Sequence, residues 1–83
     1  MSFINVSFFR EGRSINIQAN SDMMFAELAM KYFGKAGISN EDQPKFIFNS
    51  QELKTDSCKS LADLKIRDGA RIEVVIGKNI IGA

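Results

Sequence analysis

The chain has 83 residues, 45% of them apolar and 25% charged, with 11 Lys and Arg against 10 Asp and Glu and a formal charge of +1. That length holds one small domain with a single core. The basic residues are spread singly, which excludes the clustered basic stripe of a nucleic-acid-binding protein. No apolar run approaches the ~20 residues of a membrane span, and MSFINVSFF lacks a basic start followed by a continuous apolar stretch. The expectation is a cytoplasmic or nuclear protein, a monomer, working without nucleic acid or membrane.

Ile4, Val6 and Phe8 alternate with Asn5, Ser7 and Phe9. After the turn REGR, Ile15, Ile17 and Ala19 alternate with Ser14, Asn16 and Gln18. Two period-2 segments around a Gly-bearing turn predict a β-hairpin, with Gly12 at positive φ. In ANSD, Ser21 or Asp22 is expected to cap a helix starting near Met23. Phe25, Leu28, Ala29, Tyr32, Phe33 and Ala36 form one apolar stripe of that helix, and Gly37 stands where a left-handed C-cap belongs. The segment SNEDQP reads as a polar loop that Pro44 keeps from being helical.

Lys45 to Asn49 reads as a short strand. NSQ turns the chain, Glu52 and Leu53 suggest a brief edge strand, and Lys54 to Lys59 is a polar loop. Ser60 is placed to cap a single helical turn carrying Leu61 and Leu64. After the turn RDGA, the segment from Arg71 to Ile76 alternates again, with Ile72, Val74 and Ile76 on one side. A hairpin, a crossover helix and later strands predict an α+β architecture: a mixed four- to five-stranded sheet with one helix packed across one face.

In this order and spacing, GRSINIQA (Gly12 to Ala19), AGI (Ala36 to Ile38), KFIFNSQEL (Lys45 to Leu53), SLADLKI (Ser60 to Ile66) and RIEVVI (Arg71 to Ile76) resemble the ubiquitin-like superfamily, whose fold is the β-grasp. The resemblance covers residues 4–76. It implies a domain over 1–77 followed by a tail over 78–83. The chain departs from the family in a longer loop at Lys54 to Lys59 and in its end, IGKNIIGA, where the family's conjugated members carry a basic tail closing in Gly-Gly.

The strand KFIF poses its own question, because burying Phe46 and Phe48 sends Ile47 to the opposite face. That outward set is Asn5, Ser7, Phe9, Asn16, Gln18, Lys45, Ile47, Arg71, Glu73 and Val75, mostly polar as a solvated sheet face should be. Phe9, Ile47 and Val75 break the pattern. If the strand of Ile47 pairs with the last strand, Ile47 and Val75 are expected to be neighbours, with Phe9 within reach. The resemblance implies the same place, since Ile47 and Val75 match two residues of the family's hydrophobic recognition patch and Phe9 stands near a third. Lys45 and Glu73 border it. A second apolar group, Met23, Ala26 and Met30, flanks the helix stripe and reads as peripheral core packing.

Enzymatic chemistry is not expected. The chain has no histidine, which removes Cys-His and Ser-His pairs and any His-containing metal site, and it has no phosphate-binding glycine motif. Neither cofactor nor metal is expected. Cys58 is the only cysteine, so no internal disulfide can form. Two functions follow from the resemblance. One is a non-catalytic interaction domain whose patch binds ubiquitin-recognition domains or proteasome-associated receptors. The alternative is a protein modifier, handled by activating and conjugating enzymes and joined through a tail ending in Gly82 and Ala83. The family's main branching lysine corresponds to Gln51 and another chain-linking lysine to Asp68, while Lys31 and Lys35 remain as acceptors. These replacements favour the interaction domain.

Overall fold

The computed structural model describes residues 3–77. Strand β1 (Phe3–Arg10) and strand β2 (Arg13–Asn20) pair antiparallel from Phe3 opposite Asn20 to Arg10 opposite Arg13. Only Glu11 and Gly12 lie between them, at φ 50° and 79°. Two successive positive φ values define the tight hairpin turn whose twist matches that of its strands, and Gly12 meets this at no steric cost.

Helix α1 (Phe25–Ala36) buries Phe25, Leu28, Ala29 and Tyr32, while Phe33 and Ala36 pack half-buried at the core margin. Its end is the expected one: Gly37 is left-handed (φ 73°, ψ 28°), and its N–H donates to the Phe33 carbonyl at 2.9 Å. Its start corrects the sequence expectation, because neither Ser21 nor Asp22 caps it. Met24 occupies the N-cap position without a side-chain bond, and Met24 pairs instead in an isolated bridge with Ser60. Two free N–H groups of the first turn donate to the loop that follows the third and fourth strands, Phe25 to the Lys59 carbonyl (3.0 Å) and Ala26 to that of Ser57 (3.3 Å). Tertiary carbonyls take the place of a local cap.

The polar loop contains one 3₁₀ turn, Asn40–Asp42. Strand β3 (Pro44–Phe48) ends one residue earlier than expected, since Asn49 and Ser50 have positive φ (52° and 67°) and turn the chain into β4 (Gln51–Leu53). Ser60 does cap the following turn, its Oγ accepting from the Asp63 N–H at 3.0 Å. Asp68 then ties the chain to β1: its Oδ1 accepts from the Asn5 backbone N–H (2.8 Å) and from Asn5 Nδ2 (3.2 Å). Strand β5 (Ala70–Ile76) enters between β1 and β3, parallel to the first and antiparallel to the second, and the sheet order is β2-β1-β5-β3-β4.

The core lies between this sheet and α1. Phe46 is fully buried at its centre, edge-on to Phe25 (5.4 Å between centroids), Phe8 (5.8 Å) and Tyr32 (5.9 Å), and Phe8 stacks on Tyr32 at 4.5 Å. Leu61, Ile66, Ile72 and Val74 close the core around them. Among the described residues no helix is long and apolar enough to cross a membrane.

Candidate functional site

Because Ile4, Val6 and Phe8 are buried, alternation along β1 turns Phe3, Asn5, Ser7 and Phe9 to the opposite face. In β3 and β5 the buried Phe46, Ile72 and Val74 likewise send Lys45, Ile47, Arg71, Glu73 and Val75 outward. The outward set inferred from the sequence therefore shares one face, away from the helix.

Register decides who meets whom. Phe46 stands opposite Val74 in the core, so Ile47 falls opposite Glu73 and Lys45 opposite Val75. Ile47 and Val75 are thus neighbours on the diagonal, ~7 Å apart across the two strands, and not a directly opposed pair. Phe9 is also opposite Glu73, from the other side, and Ile47 is opposite Glu52 of β4. The result is a row, Phe9, Glu73, Ile47, Glu52, running across four strands, with Val75 and Lys45 side by side in the next row.

Val75 is 42% exposed, whereas Phe9 and Ile47 are half-buried. Arg71 covers one side of the Phe9 ring, its guanidinium carbon 4.3 Å from the ring centroid. Such a contact contributes ~0.5–1 kcal/mol at an exposed site. Between the Glu11–Gly12 and Asn49–Ser50 turns runs a depression of about 520 Å³, with Phe9 and Ile47 at its sides and Arg71 and Glu73 along it. Its lining is suited to partner side chains of both kinds, apolar and charged. Nothing in it positions an acid, a base or a nucleophile.

Sequence reading missed three features of this face. In the sequence Arg71 reads only as polar surface, although its place two residues before Glu73 on the strand beside Phe9 sets up the ring contact. Glu52 joins the row only through the β3–β4 register. Phe3 is 67% exposed on the same face, but it lies six residues along β1 from Phe9, ~20 Å away. In the helix flank, Met23 packs against the core as expected, while Met30 is 66% exposed. Among the described residues no group of Asp, Glu or Cys could hold a metal ion. Gly82 and Ala83 lie outside the described residues.

A mixed five-stranded sheet with one helix packed across one face is the architecture of the ubiquitin-like β-grasp domains. A family model described as "Ubiquitin-2 like Rad60 SUMO-like" matches residues 9–76, and the chain belongs to that family. Solved structures agree in fold. The ubiquitin-like domain of yeast Ddi1 superposes with a TM-score of 0.83 at 15% identity, over 94% of this chain and 93% of that one. The ubiquitin of Caldiarchaeum subterraneum gives 0.80 at 10% identity, over 95% and 99%. AtBAG1, solved in complex with HSP70, gives 0.77 at 19% identity over 88% of this chain, which spans 40% of the AtBAG1 chain. At such identities the likeness is one of fold. No curated protein sequence matches the chain.

Proposed function

We propose that this chain is a non-catalytic ubiquitin-like interaction domain, and that it engages ubiquitin-recognition domains or proteasome-associated receptors through Phe9, Ile47 and Val75, with Lys45 and Glu73 at the border of the contact. The observation that carries this reading is the grouping of three apolar side chains, drawn from three adjacent strands, on a face that is otherwise polar except for Phe3 at the far end of β1. Full burial of an aliphatic side chain contributes ~1.5–3 kcal/mol. Micromolar to millimolar complexes require ~4–8 kcal/mol. Two or three partly exposed residues of this kind match a weak, reversible contact.

The test is a titration of isotope-labelled protein with a panel of ubiquitin-binding domains, following amide shifts. The proposal expects shifts centred on Phe9, Ile47 and Val75 that disappear in Ile47→Ala. Shifts centred elsewhere, or unaffected by that substitution, refute the surface.

A further inference from the structure

The row Phe9, Glu73, Ile47, Glu52 alternates apolar and anionic groups across β1, β5, β3 and β4. Ile47 has a carboxylate on each side, one strand away. The nearby cations do not occupy the row: Arg71 is held over the Phe9 ring, and Lys45 stands beside Val75 in the next one. A partner that covers Ile47 with apolar surface alone would strip water from two carboxylates without replacing those hydrogen bonds, which is costly. The partner must therefore bring donors, and charged ones match best.

Spacing selects the partner's secondary structure. Neighbouring strands lie ~4.8 Å apart, so the four residues span ~14 Å. Along one side of a helix, positions i, i+4, i+7 and i+11 advance ~16 Å over the same three steps. Same-face residues of an extended strand need ~20 Å for those steps. Strands β1, β5 and β3 are moreover hydrogen-bonded on both sides within the sheet, so a partner strand has no edge to join there.

Resting on the interaction surface proposed above, we infer that the partner segment is an amphipathic helix lying across the strands, with apolar and basic residues alternating at i, i+4, i+7 and i+11. Its apolar residues meet Phe9 and Ile47, and its Lys or Arg residues meet Glu73 and Glu52. With a net charge of +1 the chain has no general attraction for a cationic peptide, so such a preference has to come from this row.

The experiment uses two short stapled helices as probes, identical except that the interleaved positions carry Arg in one and Glu in the other, with Leu at i and i+7 in both. The Leu/Arg helix is expected to bind at least ~10-fold more tightly than the Leu/Glu helix, a difference of ~1.4 kcal/mol, and to shift the amides of Phe9, Ile47, Glu52 and Glu73. In the double variant Glu52→Gln, Glu73→Gln the preference should fall to about twofold or less. Equal affinities, a reversed preference, a preference that survives the double variant, or no binding of either helix at millimolar concentration overturns the inference. Binding that depends on Ile47 but shows no preference for Arg overturns the charge pattern and leaves the surface standing. The surface itself falls if the domain-panel shifts are centred elsewhere or ignore Ile47→Ala.

Discussion

Phe46 and Ile47 are consecutive residues of β3, yet they serve opposite sides of the molecule. Phe46 is fully buried beneath three aromatic rings, while Ile47 is half-buried between two carboxylates on the outward face. The strand's period of two separates the jobs: one side chain holds the domain together, and the next is available for a partner. Damage to folding and damage to binding should therefore be separable within two adjacent positions.

The largest expected effect is on the buried side. Phe46→Ala removes the ring shared by Phe8, Phe25 and Tyr32 and should cost about 3–5 kcal/mol, measured by urea unfolding. A domain of this length has a total stability on the order of 4–12 kcal/mol, so the variant should lose a quarter or more of it and unfold at a clearly lower urea concentration. A loss under about 1 kcal/mol would contradict the central place given to Phe46.

Gly37→Ala sharpens the comparison at the helix end. It forces a Cβ onto a residue at φ 73° and should cost about 1–2 kcal/mol without changing the outward face. Asp68→Ala removes both bonds to Asn5 and should lower stability by roughly 1 kcal/mol, as seen in the unfolding midpoint. Amide hydrogen exchange at Asn5 should rise at the same time. Unchanged exchange there would remove Asp68's assigned role in anchoring the entry to β5. The smallest stability effect belongs to Ile47→Ala, at about 1 kcal/mol or less, because its side chain lies on the half-solvated face.

Much of this was legible in the sequence because period-2 and helical alternation report directly which side chains enter a core. The hairpin, the helix stripe, Gly37 and the outward position of Ile47 all follow from patterns within a few residues. What the sequence did not carry is the information held between distant segments. The cap of α1 comes from carbonyls of Ser57 and Lys59, more than 30 residues downstream, so local capping chemistry at Ser21 and Asp22 misled. The exact register of β3 on β5 put Glu73, and not Val75, opposite Ile47. Asp68 looked like a replaced lysine and is also a hydrogen-bonding anchor for β1.

The most direct measurement is a paired one on Ile47→Ala, taking unfolding free energy and affinity for a binding domain from the panel in the same buffer. The account predicts a stability within about 1 kcal/mol of the parent together with at least a ~10-fold loss of affinity. Unchanged affinity, or a loss that merely tracks unfolding, would contradict the assignment of this face to a partner.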